Sequence, residues 1–397
     1  MKVLLINDYS IRQGGAEILM LNLRDGLRRL GHDARLFTSS AGENIETSTA
    51  DYTCLGTTSS LRTLLQSANP WAHLRLRRVL TEFQPDVVHV KMFLTQLSPL
   101  ILPLLRKIPA LYHVVWYRPI CPLGTKMLPD GSSCHSPPGL VCYRSGCLPL
   151  RDWVPLMFQM KLWRRWRGVF DLIVANSTPV KRRLLAEGIA PVEVVGNGVS
   201  PRRARTSFSQ IPTVAFAGRL VPEKGVDVLV RAFAAVRWQL PEAKLIICGE
   251  GPERPAIEQL VSDLGLTDAV SMPGHRPNDE VARIFEIAWV VAVPSIWEEP
   301  FGQVAIEAMM IGVAVVASAG GGLTEIVRDG QTGFLVPPHN PDALAAALLR
   351  ILSDAALAEK LGRAANEVAL AEFNQDRFVD HFVELYRSIQ SRTEVVR

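Results

Sequence analysis

No run of about 18 apolar residues occurs in this 397-residue chain, so no segment reads as a membrane span. The start, Met1-Lys2-Val3-Leu4-Leu5-Ile6-Asn7, turns polar too soon for a signal peptide. A cytoplasmic protein is therefore expected, with its six cysteines reduced. No C-x2-C pair is present, which removes the usual anchor of a zinc site. No G-x-G-x-x-G is present either. Gln13, Ala16 and Glu17 break it at the first glycine pair, and neither Gly249-Glu250-Gly251-Pro252 nor Gly320-Gly321-Gly322 supplies it. A nicotinamide oxidoreductase thereby loses most of its support. The net charge is only +4, and basic residues lack aromatic interleaving outside one helix, so no nucleic-acid partner is expected.

What is present reads as two α/β halves. Hydrophobic residues make up 48% of the chain, enough for full-sized cores, and at roughly 150 residues per domain the length suits two or three domains. Residues 2–7, 34–38, 87–90, 110–115 and 172–176 are short apolar runs, and 16–30 is helical by spacing. The pattern restarts with strands at 213–217, 244–248, 289–294 and 313–318 and helices at 227–240, 255–264 and 301–311. Residues 334–336 read as a further strand, and 342 to about 389 as helical. Alternation of this kind implies doubly wound parallel sheets, whose ligands sit beyond the carboxyl ends of the strands. The expected domains are 1–199, with a cysteine-rich insertion at about 118–150, and 213–375, joined by a linker at 200–212.

The segment Glu298-Glu299-Pro300-Phe301-Gly302-Gln303 joins a strand to a helix. Glu299 stands at the helix entrance and Glu307 about two turns further in. Two carboxylates flanking a helix N-terminus suit a ligand with hydroxyls at both ends and phosphate in the middle, such as a nucleoside-diphosphate sugar. The N–H groups near Phe301, Gly302 and Gln303 would face its phosphates. Gly218-Arg219-Leu220-Val221-Pro222-Glu223-Lys224-Gly225 follows another strand, and Arg219 and Lys224 could converge on a diphosphate. The plainer reading is a turn with two solvated cations. A P-loop is excluded because Glu223 replaces the glycine before the lysine and no Ser or Thr follows it.

Three further features have competing readings. His113 ends a strand, where it could bond a sugar hydroxyl or serve a structural role. Cys121, Cys134, Cys142 and Cys147 lie in a Pro- and Gly-rich stretch with His135. A reduced, packed loop is the plainer reading; four thiolates on zinc, or a redox disulfide, are the others. Residues 153–170 mix Trp153, Trp163 and Trp166 with Lys161, Arg164, Arg165 and Arg167. That helix either packs on the sheet with a solvated basic face or makes peripheral contact with an anionic membrane.

Taken together, the motifs resemble the retaining glycosyltransferases of family four. The resemblance rests on Gly14-Gly15-Ala16-Glu17, Asn197-Gly198-Val199, Gly218-Arg219 with Glu223-Lys224-Gly225, Gly249-Glu250-Gly251-Pro252 and Pro294-Ser295. It also rests on Glu299-x7-Glu307, Gly321-Gly322-Leu323 with Glu325-Ile326-Val327, and Asp329-Gly330 with Thr332-Gly333. It implies the α/β GT-B architecture: two Rossmann-like doubly wound parallel-sheet domains facing a cleft, with residues 376–397 a helix crossing back to the first domain. It implies a metal-independent retaining transfer of a hexose-type sugar from a nucleoside-diphosphate sugar to a glycan or lipid-linked hydroxyl, with no cofactor. By the same resemblance Arg219 and Lys224 clamp the diphosphate, Glu299 holds the sugar hydroxyls and Glu307 the ribose. Gly15 meets the donor from the other domain, backbone near His275 and Arg276 borders the base, and His113 stands beside the transferred sugar. Many relatives carry an acid after that histidine, where this chain has Val114. A GT-B epimerase, a sucrose-type synthase and a non-catalytic nucleotide-sugar-binding subunit remain as alternatives.

Overall fold

The computed structural model describes residues 1–10, 15–42 and 49–396, and falls into two compact units. Gly14 of the first glycine motif lies outside the described residues. The first unit comprises residues 1–130, 134–198 and 375–397; the second comprises 131–133 and 199–374.

In the first unit β1 (Lys2–Ile6), β2 (Asp33–Ser39), β3 (Tyr52–Cys54), β4 (Val87–Val90), β5 (Ala110–Val114), β6 (Leu172–Ala175) and β7 (Val192–Val194) form one parallel sheet. Its order is β3-β2-β1-β4-β5-β6-β7. The central strands are buried on both faces and are rich in Val, Ile and Leu, as strands covered on both sides are. One face is covered by the helices Gly15–Arg29 and Gln375–Val396, through Leu19, Leu23 and Leu27 and through Phe378, Phe382 and Tyr386.

The second unit holds β8 (Thr213–Ala217), β9 (Lys244–Cys248), β10 (Val270–Gly274), β11 (Val290–Val293), β12 (Ala314–Ser318) and β13 (Gly333–Val336). All pair in parallel, in the order β10-β9-β8-β11-β12-β13. The order reverses direction between β8 and β11. At such a switch point the following crossovers leave on opposite faces, and a crevice opens between the two strand ends.

Two expected helices are cut differently. The helix read at 301–311 begins at Gln303, because Gly302 at φ 116° is left-handed and cannot continue a helix. The helical tract from 342 is three helices. Asp354 starts the second by accepting from Leu357 N–H, and a break at Phe373 and Asn374 precedes Gln375–Val396.

Candidate active site

Lys224 and Glu299 follow β8 and β11, the two strands flanking the switch point of the second unit. Local geometry delivers each of them. Pro222–Lys224 makes one 3-10 turn, closed by Gly225 at φ 61°. A side chain at Gly225 would sit 2.3 Å from the Pro294 carbonyl oxygen, so only glycine lets this turn approach the end of β11. The approach places Lys224 Nζ 2.7 Å from Glu299 Oε2. Ser295 Oγ donates to the same oxygen at 2.8 Å and Trp297 Nε1 at 3.0 Å. Three donors thus fix one carboxylate oxygen, and none of them engages Oε1.

Burial pushes the Glu299 carboxyl up, but the Lys224 charge and the three hydrogen bonds outweigh it and hold the group below its ordinary value. Its stabilising contribution is therefore present above the ordinary carboxylate pKa and is lost as pH falls through the depressed one. Arg219 takes a different position: it is 70% exposed and lies 3.5 Å from Glu223. The structure brings Lys224 and Glu299 together, then, and leaves Arg219 in solvent beside them.

The helix Gln303–Ile311 begins shortly after Glu299 in the chain, with Gly302 as a cap residue that has no side chain to satisfy the first-turn N–H groups. The Phe301 side chain is in the core, edge-on to Phe373 at 6.0 Å between ring centres, so only its backbone remains for a ligand. Glu307, on the second turn, lines a hollow of about 70 Å³ with Arg202, Val199 and Ser200 and with Asn278 and Val281. His275 and Arg276 form the turn between β10 and the helix Asn278–Ile287 that walls this hollow, and both are exposed.

Burial raises the Glu307 carboxyl to about 7, against a hydrogen bond from Gln303 and the charge of Arg202. A raised acid pKa means that the folded state holds this proton more tightly than the unfolded chain does. Stability is therefore lost as pH rises from the ordinary carboxylate value through 7, by at most about 3 kcal/mol. Glu307→Gln is expected to flatten that part of the stability profile between pH 5 and 8. Denaturant titrations across this range check it, and an unchanged slope would mean that Glu307 titrates as an ordinary surface acid.

His113 lies within β5 and is 1% exposed. Its ring packs 5.0 Å from Phe382 and 5.5 Å from His89, and Nε2 has no hydrogen-bond partner. Burial pushes it well below its ordinary pKa, so the ring is neutral. Gly15 opens the first helix and is exposed. Among the described residues no three metal-ligating side chains are placed to hold an ion, and all six cysteines are free thiols.

Sequence reasoning missed two kinds of residue. Trp297 was detectable only as an indole two positions before an acid. Lys91 follows β4, next to β1 at the switch point of the first sheet, and is 1% exposed. Burial lowers its ammonium to about 7, with the Glu17 charge opposing.

Two doubly wound parallel units, the second with a lysine–carboxylate pair at its switch point, define a protein of the GT-B class. Residues 13–203 match the family described as Glycosyltransferase Family 4, and residues 202–368 match Glycosyl transferases group 1; the chain belongs to this glycosyltransferase family. Over 182 residues it is 40% identical to a D-inositol 3-phosphate glycosyltransferase of Salinispora arenicola, covering 44% of this chain and 40% of that protein. The chain spans about half the length of the curated relatives it matches, from 37% to 55%. Among solved structures it resembles sucrose-phosphate synthase from Thermosynechococcus elongatus at TM-score 0.77 and 25% identity, covering 99% of this chain and 100% of the other. HepE of Anabaena, solved with UDP and glucose, shares the fold at TM-score 0.71 and 22% identity, covering 98% and 100%.

Proposed function

We propose that this protein is a retaining glycosyltransferase that moves a hexose-type sugar from a nucleoside-diphosphate sugar to a hydroxyl of a glycan or lipid-linked acceptor. Surface polysaccharide or glycolipid assembly at the cytoplasmic face of a membrane is the setting that fits such an acceptor. The observation that carries the reading is the Lys224–Glu299 pair at the ends of β8 and β11, beside a helix N-terminus capped by glycine.

In this reading the diphosphate lies against Arg219, Lys224 and the first-turn N–H groups of Gln303–Ile311. As the bond between the sugar and phosphate breaks, negative charge builds on the leaving phosphate oxygen. The two cations stabilise that charge, and the same phosphate helps take the proton of the attacking hydroxyl on the face it leaves. Retention follows, because attack and departure share one face. Glu299, fixed through Oε2, offers Oε1 to sugar hydroxyls. Glu307 accepts from the ribose diol, and backbone at His275 and Arg276 borders the base.

Titration calorimetry with UDP, GDP and ADP, without added metal, tests the donor site. One nucleotide is expected to bind in preference. Its affinity is expected to rise about tenfold from pH 6 to pH 8, because the ribose diol donates to the ionised form of a group that titrates near 7. No binding of any of the three would remove the reading. Binding, followed by release of free nucleotide and a rearranged sugar with no acceptor product, would point to an epimerase instead.

A further inference from the structure

We propose that the first unit carries a docking surface for an anionic lipid bilayer, built from the helices Arg62–Ser67 and Leu150–Trp166. The inference rests on the exposed face itself and not on the reading of the donor site. On Leu150–Trp166 the buried residues Leu156, Gln159, Met160 and Trp163 mark the inner face. The opposite stripe, at helical spacing, runs Val154, Phe158, Lys161, Arg165. Val154 is 55% and Phe158 50% exposed, on a helix otherwise well seated in the unit. The stripe is thus apolar at one end and cationic at the other.

The neighbouring element continues it. Ser67 Oγ donates to the Pro155 carbonyl, and Gln159 Nε2 donates to the Gln66 carbonyl, so the short helix is locked against the long one. Its Leu61 and Leu64 flanks are 60% and 61% exposed, with Arg62 between them. The cysteine-rich stretch joins the same helix: Trp153 Nε1 donates to the Gly139 carbonyl, and Tyr143, itself exposed, packs on the Trp153 ring. Large apolar side chains left in water on three touching elements mark an interaction surface.

Charge identifies the occupant. Residues 61–83 and 150–167 together hold nine basic and two acidic residues, net +7, whereas the whole chain is only +4. Lys161 and Arg165 make no ion pair among the described residues, nor do Arg75, Arg77 and Arg78 on the helix Pro70–Phe83. Apolar side chains about to enter an acyl boundary, ringed by unpaired cations, fit anionic headgroups; an apolar protein partner would not require the excess charge.

Co-sedimentation of the full chain with vesicles tests this, comparing phosphatidylcholine alone with phosphatidylcholine containing phosphatidylglycerol. The chain is expected to pellet with the anionic vesicles, less with the neutral ones, and less again at high salt. The double variant Val154→Asp with Phe158→Asp, and separately Lys161→Glu with Arg165→Glu, should each weaken partitioning at least about tenfold. Neither should move the thermal unfolding midpoint, since all four side chains are exposed. Absence of the wild-type chain from both pellets would overturn the proposal, as would wild-type partitioning of both variants. If the chain is a dimer without lipid and the apolar double variant is a monomer, the face belongs to a second copy of the chain and the proposal falls.

Discussion

Lys224→Ala is expected to lower kcat/KM by about 10²–10³-fold, the range found when one preorganised donor to a developing anion is removed. Two losses combine. The leaving diphosphate loses a cation that the Gly225 turn holds at the end of β11. Among the described residues, Glu299 loses its one charge partner and keeps the neutral donors Ser295 and Trp297. Burial then dominates its titration, the carboxyl rises above its ordinary value, and it no longer presents a fixed anion to sugar hydroxyls. Breaking such a pair also costs stability, about 3 kcal/mol, because the buried carboxylate must either stay uncompensated or take up a proton. Lys224→Arg keeps the charge but brings a wider fork into a gap closed at 2.7 Å, so it should recover only part of the rate. Donor turnover with UDP-glucose, GDP-mannose and ADP-glucose, beside thermal unfolding, separates the two effects. A folded Lys224→Ala protein with near-wild-type kcat/KM would remove Lys224 from the chemistry.

The second large effect is one of stability. Gly321→Ala is expected to cost 3 kcal/mol or more and to lower the melting temperature by about 10 °C. Gly321 has φ 60°, and a Cβ there would lie 2.1 Å from the carbonyl oxygen of Glu299 and 2.7 Å from its nitrogen. The clash is backbone against backbone, so no side chain can turn away. Gly322 N–H also donates to the Glu299 carbonyl at 2.7 Å, so the two strand-end loops are tied at that point. Relief would have to shift Glu299 itself, which makes this a site variant as well as a folding one. Gly330→Ala is the control: its φ is 72° but nothing lies within 4 Å, so only the left-handed backbone cost of about 1 kcal/mol applies. Equal melting temperatures for the two variants would show that the loop relaxes freely around Glu299.

Short apolar runs made much of the sheet readable. Residues 87–90, 213–217 and 244–248 were bounded to the residue, because each is a short, mostly apolar run of the length a buried parallel strand has. β10 was not readable, since Ser271 and Pro273 interrupt it. As an edge strand it pairs only with β9, so a missing N–H on the open side costs nothing. β3 and β7, at three residues each, were too short to carry a pattern. The burial of His113 was not readable for a different reason: at the end of an apolar run a histidine can be either buried or exposed. What covers it is a helix that begins more than 250 positions later in the chain.

Local chemistry therefore determined which residues stand at strand ends and helix entrances: Lys224 in its glycine-closed turn, Glu299 before its helix, Glu307 two turns in. Those placements follow from apolar spacing and from glycine and proline, which act over a few residues. Tertiary structure alone decided that Lys224 donates to Glu299, 75 positions away, while Arg219 stays in solvent. It also decided that Glu307 titrates near 7 and that His113 is buried and neutral. Ionisation and partnership depend on what the rest of the chain packs around a group, and burial of that kind is set by contacts between residues far apart in sequence.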